Sequence, residues 1–324
     1  MKTARIAFLV FLGLFCILTS PMASEPSFPT KPIVIIVGYA PGAFTDLASR
    51  RIAEDARKYL GQEVMISNKP GGGGRVGAEL VSKAKPDGYT LGAVTDSSFI
   101  LLPFLEKVPY KPMDDFTFLN QTGTIDFSTL VLPDSPFKKF KDLIDFARAN
   151  PDKLTISTVG VGTTNHIAFE ALCLLEGLKI KLVPFPGAAA AMTALLGGHV
   201  MAASTGASGY VPHVKAKTVR MLAMMSDERL DEYPDVPTLK ELGYPLVFQS
   251  WHLLYGPKNM DKAVVKKLCD TFARTINSPG FINFAKSLDT WARKPLSGDE
   301  LREGMIQRSK KNEELFKKLG MGIK

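Results

Sequence analysis

Stretches with strand-like and helix-like apolar spacing alternate along this chain from Ile33 to Met224, a pattern that few folds can accommodate. Ile33–Val37 is a continuous apolar, β-branched run, as in a strand covered on both faces. Leu47, Ala48, Ile52, Ala56 and Leu60 then recur at helical spacing. Val64–Ser67 reads as strand, Val76–Ala84 as helix and Tyr89–Val94 as strand. Phe140, Leu143, Ile144 and Ala147 mark one helix face; strand-like Leu154–Val159 follows, then a helix from about Thr164 to Glu176. The alternation continues through Lys181–Phe185, Ala189–Leu196, Val200–Ser204 and Val219–Met224. The spacing predicts an α/β protein with mainly parallel sheets flanked by helices. Ser297 and Glu300 predict a capping box at the start of a C-terminal helix, and Gly320 its stop.

The first residues follow a different plan. Lys2 and Arg5 precede an apolar run from Ile6 to Leu18, and small residues follow at Ala23 and Ser24. That is the layout of a secretory leader, and the run is shorter than the ~20 residues that span a bilayer. The expected leader is Met1–Ser24, with a mature chain beginning near Glu25 in the periplasm. Phe15 is too bulky for the position before a lipidated Cys16. Loss of the leader removes Lys2 and Arg5 and lowers the net charge from +8 to +6. A mild basic excess suits anionic ligands. The bases are scattered, with no basic, aromatic-interleaved segment, so nucleic acid is not an expected partner. Cys173 and Cys269 sit in apolar helical contexts and are expected in different lobes as two buried, unpaired thiols. The remaining 300 residues exceed one ordinary core. Crossings near Gln121–Phe127 and Phe248–Leu254 would divide them into residues 25–124 plus 249–324 and residues 125–248.

Glycine-rich turns follow the expected strands. They run Gly38–Asp46, Pro70–Gly77, Gly160–His166 and Pro184–Ala188. A helix start offers unpaired N–H donors and partial positive charge, and glycine lets a ligand approach the backbone. Thr45, Thr163 and Thr164 add hydroxyls. Asp46 would repel an anion and is expected to accept N–H bonds within its own loop. His166 either touches a ligand or bonds within its own loop.

Catalytic patterns are thin. Gly72, Gly74 and Gly77 form a G-x-G-x-x-G, but Asn68-Lys69-Pro70 separates it from its strand, and export argues against a nicotinamide cofactor. His166, His199, His213 and His252 lack metal-ligand spacing. There is no G-x-S-x-G elbow or complete P-loop; Gly206-Ala207-Ser208-Gly209 is only superficially like a serine turn. No cofactor, metal or catalytic residue is expected.

Several segments together resemble the Bug-type receptors, the periplasmic substrate-binding proteins of tripartite tricarboxylate transporters. These are Pro29-Thr30-Lys31-Pro32-Ile33, the Tyr39–Asp46 loop, Asn68–Gly74 and Pro86-Asp87-Gly88-Tyr89-Thr90-Leu91. Gly160-Val161-Gly162-Thr163 with His166, Ala194–Gly198, Pro212–Ala216, Asp235–Leu239 and Leu315–Gly320 continue the match in order. The resemblance implies a two-lobed flytrap that closes on a small organic carboxylate, held by loop backbone and ordered waters. It implies membrane permease partners and no cofactor; the receptor itself is expected to be a monomer. By position it assigns Ala43, Phe44, Thr45 and Asp46 from the first loop, where Tyr39 is a further candidate, and Thr163, Thr164 and the backbone of Gly187 and Ala188 from the middle lobe, where His166 is a further candidate. Thr95, Ser97 and Thr205 are further candidates.

Departures bear on the ligand. Gly42-Ala43-Phe44 stands where the family has more glycine, Met201 where it often has aspartate, and Thr205 near another common acid. With Phe44 taken as the tip of a loop facing the cleft, these predict a mono- or dicarboxylate with an apolar or aromatic body, rather than citrate or an amino acid. The competing readings are a sensor subunit for a signalling partner and an exported hydrolase of similar fold.

Overall fold

The computed structural model describes residues 28–292 and 294–322. The leader-like segment and the expected start at Glu25 lie outside the described residues. The first sheet begins with β1 (Ile33–Val37), β2 (Val64–Asn68) and β3 (Thr90–Thr95). Helix α1 (Phe44–Leu60) links the first two; a 3-10 turn at Gly72–Gly74 and α2 (Arg75–Ser82) link the next. Two single-turn helices, α3 (Ser97–Ile100) and α4 (Leu102–Leu105), lead to β4 (Phe116–Ile125).

The chain then builds a second sheet from β5 (Phe127–Val131), α5 (Phe140–Ala149), β6 (Thr155–Thr158), α6 (Thr164–Glu176), β7 (Lys181–Pro184), α7 (Ala188–Leu196), β8 (Ala202–Gly206), α8 (Ala207–Lys215) and β9 (Arg220–Met224). It returns to the first sheet as β10 (Ser250–Pro257) and ends with α9 (Lys262–Ile276), α10 (Pro279–Ser287) and α11 (Gly298–Leu319).

The strand orders are β2-β1-β3-β10-β4 and β7-β6-β8-β5-β9. β1 runs parallel to β2 and β3, and β6 to β7 and β8. The sheets are nevertheless mixed, because β10 and β5 are antiparallel to both of their neighbours. The reason is the crossings. The β-to-α turns open at the carboxyl ends of the strands, between the lobes. A strand that enters a lobe from the other one starts at that cleft and must run away from it.

Local chemistry accounts for the elements. In β1, Ile33, Ile35 and Val37 are fully buried, facing Val64, Ile66 and Asn68 in β2. Helix α1 buries Ala48, Ile52, Ala56 and Leu60 and stops at Gly61, which takes the left-handed conformation. Gly320 ends α11 in the same way. The expected Ser297 capping box does not form: its side chain makes no cap bond, and its backbone bridges to Asn120 of β4 instead. Cys173 and Cys269 are free, on α6 and α9.

The two crossings touch. Asp126 follows β4 and Gln249 precedes β10; Gln249 Nε2 donates to Asp126 Oδ1 at 2.6 Å. Arg308 of α11 braces the return strand. It donates to Asp96 Oδ2 at 3.0 Å and to the Gln249 carbonyl at 2.6 Å, and stacks 4.5 Å from the Trp251 ring.

Candidate functional site

Four helices begin at the space between the sheets. Their N-cap residues are Ala43 (α1), Thr163 (α6), Gly187 (α7) and Gly206 (α8), and none is capped by its own side chain. Two helices away from the cleft are capped by side chains: Asp261 accepts from Ala263 N and Val264 N, and Ser278 from Phe281 N. No acidic residue lies in the first turn of α6, α7 or α8. In α1, Asp46 turns away from the cleft, accepting from Gly42 N at 3.0 Å, from Arg50 Nε and from Asn68 Nδ2. Burial alone would raise its carboxyl; the bonds from Arg50, Gly42 and Asn68 win and hold it below the usual carboxylate range. Helix α2 also starts here, but Arg75 N and Val76 N are taken up by Gly72 and Gly71 carbonyls of the preceding turn.

These starts enclose a cavity of about 360 Å³. Tyr39, Ala43, Phe44, Thr45, Thr95, Thr163, Thr164, Gly187 and Ala188 line it. Asp46, Ser97, His166 and Thr205 do not. Asp46 holds its loop, as its position at a helix start leads one to expect. Ser97 is fully buried and bonds Thr95 at 2.8 Å. His166 is buried, between Thr158 Oγ1 of β6 at 3.0 Å and Glu170 at 3.3 Å, and lines a separate depression together with Glu170 and Cys173. Thr205 is fully buried on β8, with no partner for its hydroxyl among the described residues. Phe44 is the first residue of α1 rather than a loop tip. It is 4% exposed, with its ring edge-on to His252 at 5.4 Å, so it packs into its own lobe and also forms cavity wall.

The lining also includes Ile125, Phe127 and Ser250, which the sequence did not single out, and Gly71–Gly74, Phe185 and Pro186 from two of the glycine-rich turns. Ser208 lines it too, from the turn that looked like a serine elbow. Met201 is absent from the lining, because it precedes β8 at the end opposite Gly206. Five residue steps along the strand separate the two, roughly 16 Å.

The lining carries no Asp, Glu, Lys, Arg or His. Most of its hydroxyls are engaged. Tyr39 donates to the Gly73 carbonyl at 3.1 Å and lies 2.5 Å from Thr95 Oγ1. Burial raises the Tyr39 phenol, against bonds to Thr95, Ser97 and Ser98, so it stays neutral. Thr163 Oγ1 lies 2.7 Å from the Gly160 carbonyl and 2.9 Å from Asn165 Oδ1, so its proton serves its own turn. Thr164 Oγ1 and Ser250 Oγ are 2.5 Å apart and link the second lobe to the return strand. Thr45, 2% exposed, and Ser208 have no hydroxyl partner among the described residues. His252 is fully buried with Nδ1 against Thr122, and burial pushes it down to about 3, so it is neutral. Among the described residues no cluster of His, Cys, Asp or Glu is suited to a metal. The arrangement offers backbone donors and two spare hydroxyls to an anion.

The G-x-G-x-x-G glycines have a packing role. Gly73 has a left-handed φ of 59°, and a methyl group on it would lie 3.0 Å from the Gly162 carbonyl oxygen across the cleft. Gly73's own carbonyl is fixed by Tyr39 and by Ser98, at 2.8 Å. On Gly162, a methyl group would lie 2.7 Å from Leu102 Cδ1 of the first lobe. The two glycine turns are one place where the lobes meet; Thr164–Ser250 and Tyr233–Asp289 are others.

The sequence matches the family described as tripartite tricarboxylate transporter family receptor over residues 48–321. It is 35% identical over 301 residues to the UPF0065 protein in the gbd 5' region of Cupriavidus necator, covering 92% of this chain and 90% of that one. Its structure is similar to that of the periplasmic binding protein BugD, with a TM-score of 0.82 and 29% identity, covering 91% of this chain and 99% of that one. It is also similar to MatC from Rhodopseudomonas palustris with bound malate, with a TM-score of 0.81 and 25% identity, covering 89% and 99%. No described helix is long and apolar enough to cross a membrane. The two mixed sheets, the cleft between them and the match along most of the chain agree: this protein belongs to the tripartite tricarboxylate transporter receptor family of periplasmic solute-binding proteins.

Proposed function

We propose that this protein captures a small organic carboxylate in the cleft and delivers it, chemically unchanged, to the membrane permease subunits of a tripartite transporter. The observation that carries this reading is the convergence of four helix starts, none capped by its N-cap side chain, on a cavity whose lining holds no charged side chain. Unpaired N–H groups and the positive helix ends attract an anion and give a cation no partner. Each charge-assisted bond contributes about 1.5–3 kcal/mol, so four give roughly 6–12 kcal/mol before ordering and closure costs. Micromolar binding requires about 8 kcal/mol. The cleft offers no side chain to act as nucleophile-activating base or as acid, which supports binding without turnover. The carboxylate bound to the MatC relative is of the same chemical kind.

In this reading the lobes are residues 25–124 with 249–324 and residues 125–248, and the paired crossings at Asp126 and Gln249 are the hinge. The mature chain begins near Glu25 and works in the periplasm as a monomer. Native mass spectrometry of the purified protein should reveal a retained carboxylic acid, and X-ray scattering should show compaction when it rebinds. Recovery of a chemically altered acid after incubation, or absence of binding to any carboxylate, would overturn the proposal.

A further inference from the structure

The cleft also carries information about the body of its ligand. Granting that the cleft takes a carboxylate, we infer that its ligand bears one or two carboxylates on an alkyl or aryl body, and that Phe185 and Val161 select for that body. Charge sets the upper limit. Each helix start carries about half a positive charge, so four offset about two negative charges. No Lys or Arg lines the cavity to meet a third carboxylate, and no Asp or Glu to meet an ammonium group.

The walls set the body. Phe44, Ile125, Phe127, Val159, Val161 and Phe185 line the space. Phe44, Ile125 and Phe127 are at most 7% exposed and make the floor, packed in the core. Val161 is different: it is 62% exposed, at the tip of the third turn, with its apolar surface left for something to cover. Phe185 is half-buried on the turn that opens α7. An alkyl chain or ring lying between them removes their surface from water, whereas a hydroxylated body loses its own hydration there and regains few bonds.

The spare hydroxyls fit the same picture. Thr45 is 2% exposed, lines the cavity and has no hydroxyl partner among the described residues. It stands in the first turn of α1, beside the unpaired N–H groups of that turn. Ser208 is the corresponding residue at the start of α8. A carboxylate at either start takes one hydroxyl and the neighbouring backbone donors. The hydroxyls of Tyr39, Thr95 and Thr163 are committed to protein partners, which leaves little to satisfy the hydroxyl of a compact, highly oxygenated acid.

The test is calorimetry on the mature protein with hexanoate, phenylacetate, heptanedioate, citrate and glutamate. At least one of the first three should bind about tenfold or more tighter than both citrate and glutamate. Phe185→Ala should weaken those apolar acids about tenfold and change citrate far less. Val161→Thr keeps the shape of an exposed side chain, so it tests the same wall if Phe185→Ala fails to fold; it should weaken the apolar acids selectively. Tightest binding of citrate or glutamate would overturn the inference and leave the carboxylate reading standing, and so would equal losses for all acids in both variants. If no acid binds at any concentration, the carboxylate reading falls and the inference with it.

Discussion

Replacement of Gly73 by alanine should hold the lobes apart. The added methyl group would sit 3.0 Å from the Gly162 carbonyl oxygen, 3.1 Å from its carbon and 3.4 Å from the Val161 carbonyl oxygen. All three are backbone atoms of the other lobe, so relief must come from movement of the lobes rather than from a rotamer. Overpacking of this kind costs about 1–3 kcal/mol in the closed form. Ligand affinity should therefore fall about 5- to 150-fold. Left-handed alanine adds strain of about 1–2 kcal/mol, but in open and closed forms alike.

Gly72→Ala separates the two effects. Gly72 lies in the same turn with a similar φ, 52° against 59°, yet its methyl group would meet only the flexible Arg75 side chain, at 3.2 Å. Both variants should melt earlier by similar amounts. Gly73→Ala alone should lose affinity in calorimetry and remain expanded in ligand-saturated scattering. Equal dissociation constants for the two variants would refute the reasoning.

Thr164→Val should weaken binding severalfold by removing the link to Ser250, while Thr163→Val should lower the melting temperature with little effect on affinity, since its hydroxyl serves its own turn; calorimetry and melting of the pair check this. The Asp126 carboxyl is pushed up to about 6 by burial, against its bond from Gln249. Between about pH 4 and pH 6 the native state therefore keeps a proton that the unfolded chain has released, and stability should fall by about 3 kcal/mol as pH rises through that window. Asp126→Asn should flatten the dependence in denaturant titrations run across it. Burial pushes the Cys269 thiol up to about 11 and raises Cys173 as well. Both should resist alkylation near neutral pH and react once denaturant is added, as intact mass will show.

Helices and parallel strands were legible because their apolar spacing and their glycine and threonine punctuation are local. The β1 and α6 bounds, Ile33–Val37 and Thr164–Glu176, agree with the sequence reading. The first crossing between the sheets was not legible in the same detail. β4 carries Asn120, Gln121 and Thr122 in its interior, which reads as loop; in the fold they are buried and bonded to Cys269, Thr124 and His252. Only tertiary partners make that stretch a strand. The walls at Ile125, Phe127 and Phe185 were missed because an apolar side chain facing a ligand has the same pattern as one facing a core. Met201 misled because spacing in sequence does not say which end of β8 meets the cleft. His166 was left between two roles in the sequence, and in the fold it bonds Thr158 Oγ1 and does not line the cavity.

The helix starts around the cleft have a consequence for anyone who probes it by mutation. The donors in the first turns just beyond Ala43, Thr163, Gly187 and Gly206 are main-chain groups, present whatever side chain each residue bears. In the function proposed above, an alanine scan would register losses at the apolar wall, at Thr164 and at the Thr45 and Ser208 hydroxyls, and would report on the main-chain donors only where alanine strains the backbone, as at Gly187 with its φ of 108°. If the cleft grips an anion as proposed, the same property loosens the constraint on descent: residues around it can be exchanged for others of similar size while the grip persists. A lineage built this way can change which acid it carries by altering the wall alone.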